Sequence, residues 1–170
     1  MQVYLLRHGI AEEGHVGMRD ADRQLTSEGK RKLRETLRIL TNADVAPTLI
    51  LSSPLVRAVQ TAELARELLK TKNAVLLTKA LSPNSTVEQV WEELRVHRDE
   101  TELMLVGHEP LFSRLSAYLL GATDLKIDFK KGAVLRVDFD SFGHQPRGTL
   151  RWFFVSRLAS KTVRAGDQGD

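Results

Sequence analysis

Three junctions in the chain pair an apolar run with residues suited to anion chemistry. Arg7-His8-Gly9 follows Val3-Tyr4-Leu5-Leu6, and Gly107-His108-Glu109-Pro110 follows Leu103-Met104-Leu105-Val106. Ser52-Ser53-Pro54 follows Thr48-Leu49-Ile50-Leu51, with Arg57 one helical turn further on. Each apolar run reads as a strand covered on both faces. In an open α/β sheet, ligands bind outside the carboxyl ends of the strands. Arg7, His8, Arg57 and His108 are therefore expected to meet on one edge of one sheet. Two guanidinium forks and the amino ends of two helices would match the oxygens of a phosphoryl group. A histidine among them can act as a nucleophile, splitting one hard displacement into two easier ones through a covalent intermediate. Gly9 lets backbone approach closely behind His8. A positively lined site also stabilises charge spread over the equatorial oxygens of a transferring phosphoryl group.

The elements that must position these residues alternate between strand-like and helix-like sequence. Thr26 caps a helix carrying Leu33, Leu37 and Leu40 on one face, with Glu28 in its first turn, and this helix ends before Pro47. Ser53 and Pro54 read as the N-cap and first residue of a second helix, with Leu55, Val59, Ala62 and Leu69 turned inward. A short strand is expected over 74–77. A third helix runs from about Thr86 to His97 on Val87, Val90, Trp91 and Leu94; a fourth starts at Pro110 and buries Leu111, Leu115, Tyr118 and Leu119. Ala133, Leu135, Val137 and Phe139 alternate with Val134, Arg136 and Asp138, and a further strand at 150–155 follows a loop holding Gly143, Pro146 and Gly148. This pattern predicts an α/β fold: a three-layer sandwich with a mostly parallel central sheet, helices on both faces and an antiparallel edge hairpin. The expected organisation is one domain over 1–158 and a polar, flexible tail over 159–170.

Composition removes several classes of function. With 170 residues, 42% hydrophobic and 28% charged, the chain suits an ordinary globular domain. It contains no cysteine, which excludes a disulfide scaffold, a thiolate nucleophile and a Cys-ligated zinc, and which fits a reducing compartment. A net charge of +3 is not the basic stripe of a nucleic-acid binder. No signal-peptide pattern opens the chain and no apolar run reaches the ~20 residues of a membrane helix, so a cytoplasmic address without membrane partners is expected. His108-Glu109 is followed by Pro110, Leu111 and Phe112, so there is no HExxH pair, and arginines are poor neighbours for a metal; no metal is expected. Neither a GxxxxGK phosphate loop nor a GxSxG elbow is present. His15, His97 and His144 are expected at the surface, Trp91, Trp152 and Phe153 in the core, and Arg23 in a structural or rim position. Lys30-Arg31-Lys32 reads as a solvated helix face, its functional alternative being to steer an acidic partner. Nothing in the sequence sets the oligomeric state.

Taken together, the blocks resemble the histidine phosphatase (phosphoglycerate mutase-like) superfamily. Arg7-His8-Gly9 matches its RHG signature. Arg23-Gln24-Leu25-Thr26 with Gly29, the run Ser53-Pro54-Leu55-Val56-Arg57-Ala58-Val59-Gln60-Thr61-Ala62, and Val106-Gly107-His108-Glu109-Pro110 are similar to its SixA-type phosphohistidine phosphatase branch. The resemblance spans residues 1 to about 155. It implies a phosphoglycerate mutase-like fold and hydrolysis of phosphohistidine in a protein without a cofactor. His8 would be the nucleophile that becomes phosphorylated, Arg7 and Arg57 would hold the phosphoryl oxygens, and His108 would donate to the phosphoryl group opposite His8. The alternatives are a general small-molecule phosphomonoesterase of the same superfamily and a non-catalytic phosphate-binding module.

One departure bears on substrate. Many members of the superfamily carry an acidic general acid after the third strand, where this chain reads Leu81-Ser82-Pro83-Asn84-Ser85, with no carboxylate before Glu88. A phosphate ester needs a proton for its alkoxide. A phosphohistidine whose second ring nitrogen is protonated leaves as neutral imidazole, so the missing acid favours phosphoramidates. Glu12, Asp20 and Glu109 are the other candidate proton sources. The stretch between Arg57 and His108 is consumed by helix, strand and helix, so no large lid is expected over the pocket.

Overall fold

Val3, Tyr4, Leu5 and Leu6 are all buried, so the strand that holds them has apolar cover on both faces. In the computed structural model, which describes residues 1–158, this strand is Gln2–Arg7 (β1). It is followed by Ser27–Asn42 (α1), Leu49–Ser52 (β2), Val56–Leu68 (α2), Leu76–Leu77 (β3) and Val87–Val96 (α3). Glu102–Gly107 (β4), Leu111–Leu119 (α4), Val134–Asp138 (β5) and Thr149–Phe154 (β6) complete the order. The tail expected over 159–170 lies outside the described residues.

The strands form one six-stranded sheet in the order β3-β2-β4-β1-β5-β6. β1 pairs in parallel with β4, as β2 does with both β3 and β4; β1–β5 and β5–β6 are antiparallel. Side chains alternate between the two faces and feed two cores. On one face, Leu33, Leu37 and Leu40 of α1 and Ala58, Ala62 and Ala65 of α2 pack on Tyr4, Leu6, Ile50, Met104 and Val106. On the other, Val90, Trp91 and Leu94 of α3 and Leu111, Phe112 and Leu115 of α4 pack on Val3, Leu5, Leu51, Leu103 and Leu105. This is the three-layer α/β arrangement expected. The chain winds outward from β1 through β2 to β3, then turns back to β4. Right-handed crossovers place α1 and α2 on one face and α3 on the other.

Local chemistry accounts for the element ends, with some corrections. Thr26 Oγ1 accepts from Gly29 N (2.9 Å), capping α1 as expected. Thr86 and Gln89 form a reciprocal capping box on α3. Ser53, by contrast, does not cap α2. That helix begins at Val56, with Leu55 at the N-cap and no side-chain cap bond. Its inward stripe is built from Ala58, Ala62, Ala65 and Leu69, while Leu55 and Val59 are half-buried. β3 is shorter than expected, and both its residues are exposed at the sheet edge. Phe153 is exposed on edge strand β6 rather than in the core, although its ring still contacts Phe129 edge-on.

The loop after β1 is pinned to α1 by close backbone approach. Ile10 O accepts from Thr26 N (2.9 Å), and a Cβ on Gly29 would stand 2.1 Å from that same oxygen. Gly29→Ala should therefore displace the loop that carries His8, at a cost on the order of 1–3 kcal/mol. The expected readout is a fall in Tm of roughly 2–4 °C per kcal/mol, with reduced activity. Gly14→Ala is the control: its nearest neighbour would be Arg23 Cδ at 3.8 Å, and Tm should not change.

Candidate active site

Parallel pairing sets Arg7 of β1 opposite Gly107 of β4, so the next residues, His8 and His108, come side by side. His8 N–H donates to Gly107 O (3.0 Å), and the two ring centroids lie 4.9 Å apart at 55°. Beyond this point the chain from β1 leaves towards α1 on one face, and the chain from β4 leaves towards α4 on the other. Such a switch point opens a crevice at the carboxyl edge of a parallel sheet. The structure brings Arg7, His8, Arg57 and His108 together there. Burial is the main influence on both imidazoles, and both arginines add to it.

His8 is 7% exposed, and its Nδ1 lies 2.8 Å from Gly9 O. A carbonyl only accepts, so Nδ1 carries the proton and Nε2 keeps its lone pair. Burial pushes the His8 pKa from the ordinary 6.5 down to about 3, and Arg57, Arg7 and Lys131 act in the same direction against the Gly9 bond. His108 is 1% exposed, and its pKa is likewise pushed to about 3, by burial first and then by His8 and Arg57. Both rings are neutral at pH 7. His108 Nε2 meets Ser53 Oγ at 2.8 Å, while its Nδ1 is buried without a partner. Leu55 N–H donates to Ser53 Oγ (3.4 Å), which leaves the hydroxyl proton free to donate to Nε2 and favours the proton on Nδ1. Ser53 thus orients His108 instead of capping α2, a use that its Ser-Pro context concealed.

The block around Arg57 serves this edge at helical spacing. Ala58 and Ala62 let α2 lie close to the sheet. Thr61 Oγ1 accepts from Gly9 N (3.2 Å) and donates to Arg57 O (2.7 Å). Gln60 Oε1 accepts from Leu25 N (2.7 Å). Arg57 itself is 5% exposed. Its Nη1 donates to Asp20 O (2.7 Å) and its Nη2 to Asp20 Oδ2 (2.9 Å). Arg7 Nη1 donates to Phe129 O (2.5 Å), and its Nε is buried without a partner.

Asp20 is at the end of a loop whose neck is the Glu12 N–Gln24 O bond (2.9 Å) and the Arg23 Nε–Glu12 O bond (2.8 Å). Arg23 also holds Asp20 Oδ1 (2.8 Å), which gives it a structural place at the rim. Arg23, then Arg57, keeps the Asp20 carboxyl below the usual carboxylate range. Of the other candidate proton sources, Glu12 accepts from Gln24 N, and Glu109 accepts from Ser113 N (2.9 Å) and Ser113 Oγ (2.5 Å) at the start of α4. Glu88 lines a separate surface cavity with Thr78 and Lys79. Among the described residues no three His, Cys, Asp or Glu side chains cluster as metal ligands. No described helix is long and apolar enough to cross a membrane. His15 and His144 are exposed, whereas His97 is half-buried beside Glu93 at 3.6 Å.

Comparison with known proteins gives this geometry a family. The family model of the histidine phosphatase superfamily (branch 1) matches residues 3–82. An uncharacterized protein of Picosynechococcus sp. is 32% identical over 148 residues, covering 79% of this chain and 83% of that protein. Phosphohistidine phosphatase SixA of Escherichia coli (strain K12) is 29% identical over 154 residues, covering 89% of this chain and 92% of the relative. The solved structure of the protein histidine phosphatase SixA complexed with tungstate superposes with a TM-score of 0.81 at 26% identity, over 93% of this chain and 99% of that one. The chain belongs to the histidine phosphatase superfamily, in its SixA-type branch, and is a phosphatase with the phosphoglycerate mutase-like fold.

The depressed histidines make stability pH-dependent. Below about 6.5 the unfolded chain takes up protons on both imidazoles, while the native protein does not until about pH 3. This contribution is present in full above pH 6.5 and is lost progressively as pH falls from 6.5 to 3. His108→Gln should flatten the dependence, seen as a smaller difference in Tm between pH 7 and pH 4.5 than in the wild type. An unchanged difference would contradict the buried, neutral His108.

Proposed function

We propose that this phosphatase removes the phosphoryl group from a phosphorylated histidine of a protein through a covalent phospho-His8 intermediate. The observation that carries the reading is the state of His8, a buried neutral imidazole with Nδ1–H tied to Gly9 O and Nε2 unprotonated beside two arginines. In the first step Nε2 attacks phosphorus in line with the P–N bond of the substrate. The new N–P bond forms as the old one breaks, and the substrate imidazole keeps the bonding pair. With its second nitrogen protonated, it leaves neutral and needs no general acid. In the second step a water oxygen attacks phosphorus, the P–Nε2 bond breaks with its electron pair returning to Nε2, and the water's protons stay on the phosphate oxygens, so that inorganic phosphate departs as dihydrogen phosphate. The Nδ1–H bond to Gly9 serves this step too, because His8 then leaves as neutral imidazole.

Arg7 and Arg57 would stabilise the equatorial oxygens, with His108 donating from Nδ1 opposite His8. The missing carboxylate after β3 favours the phosphoramidate over an ester. The SixA relatives, a phosphohistidine phosphatase and a protein histidine phosphatase, support the same substrate class. The chain between Arg57 and His108 is spent on α2, β3, α3 and β4, which supports access by a protein surface. The reading includes a reducing, cytoplasmic setting, with which a cysteine-free chain is compatible.

Acid-labile phosphate should be trapped on the wild type and be absent from His8→Ala, which should fold but not turn over. A protein that neither traps nor hydrolyses phosphate is a binding module. Arg7→Ala and Arg57→Ala should each lower kcat/KM on the order of 10²-fold or more, and chelators should leave activity unchanged. In a panel of a phosphohistidine protein, sugar phosphates and p-nitrophenyl phosphate, the phosphohistidine protein should be hydrolysed fastest. Comparable rates on alkyl phosphoesters would favour the general phosphomonoesterase.

A further inference from the structure

On the Arg7 side of the phosphoryl pocket lies a recess of about 840 Å³, walled by the first turns of α1, the backbone at Gly9 and Ile10, and the turn that ends at Gly132. Arg7, Arg31, Lys32, Lys130, Lys131 and Arg157 line it, against a single carboxylate, Glu28. Six cations facing one acid exceed on their own the net charge of +3 carried by the whole chain. Lys32 pairs with Glu28 (2.8 Å), Arg31 with Glu35, and Lys130 with Asp128 (2.6 Å), but these are surface contacts of the kind worth little in water. Lys131 and Arg157 have no ion pair among the described residues. Lys131 also contributes to the field at His8, and Arg7 belongs to both recess and pocket. The recess therefore adjoins the place where a group attached to the phosphoryl would lie.

We propose that the recess receives acidic side chains next to the phosphohistidine of the partner protein, so that the enzyme selects phosphohistidines set in acidic sequence. The inference rests on the phosphohistidine reading above and adds a rule of partner choice to it. Concavity favours a protein segment over a bilayer, because a flat anionic surface would meet only the outermost of these cations, whereas a projecting segment can engage several walls at once. Walls of low dielectric focus the field on such a segment and speed its capture.

The test uses two phosphohistidine peptides, identical except that aspartates or asparagines flank the phosphohistidine, together with free phosphohistidine. At low ionic strength the wild type should show kcat/KM about tenfold higher for the aspartate peptide, a preference that shrinks as salt is raised. Lys130→Glu combined with Arg157→Glu changes two exposed side chains. It should abolish the preference while leaving turnover of free phosphohistidine unchanged. Lys32→Glu, on a different wall, should reduce the preference in the same direction. Equal rates on the two peptides in the wild type, or a preference that survives charge reversal, would overturn the recess proposal alone. So would binding to phosphatidylserine vesicles that charge reversal abolishes without altering peptide preference. Failure of the wild type to hydrolyse any of the three phosphohistidine substrates would overturn the phosphohistidine reading and this inference with it.

Discussion

The parallel pairing of β1 with β4 is the constraint on which the rest depends. It seats two histidines side by side in a crevice where both rings lose their water. Two arginines then approach the same point. Loss of water is the main reason that the imidazoles stay neutral, and the charge of the arginines lowers their proton affinity further. Neutrality is also what a nitrogen nucleophile requires. Burial of the histidines and their proposed chemistry are one electrostatic fact seen from two sides.

What surrounds this pair is built by ordinary folding forces applied at close quarters. The alanines of α2 are small because the helix must lie against the sheet, and that closeness is what brings Arg57 and Thr61 to the edge. Glycine at 29 allows the start of α1 to touch the loop after β1, so a packing requirement of the helix becomes the fixture of His8. Under the proposed function, the features that would set substrate choice are the absent carboxylate after β3 and the cationic recess.

Much of this was legible in the residues. The strands β1, β2 and β4, the cap of α1 and the span of α3 follow from patterns that act within a few positions, and the rule that ligands sit at strand ends locates Arg7, His8, Arg57 and His108. Where local preference competes with tertiary demand, the reading fails. Ser53 followed by Pro54 has the signature of a helix start, yet a buried imidazole claims the hydroxyl and the helix begins three residues later. Phe153 carries an apolar ring on a strand that has no neighbour on one side. The contact of Asp20 with Arg57 spans 37 positions and depends on the path of an irregular loop, for which no periodicity exists.

The grip of Asp20 on Arg57 has a consequence for turnover. If Arg57 holds the phosphoryl oxygens as proposed, an incoming anion would have to evict a tethered carboxylate before using that guanidinium fully, and the tether costs no encounter in solution. Ambient phosphate would then compete against a rival that is always at hand. The same loop would reclaim the arginine as phosphate departs, making release an exchange of partners rather than the uncovering of a buried charge.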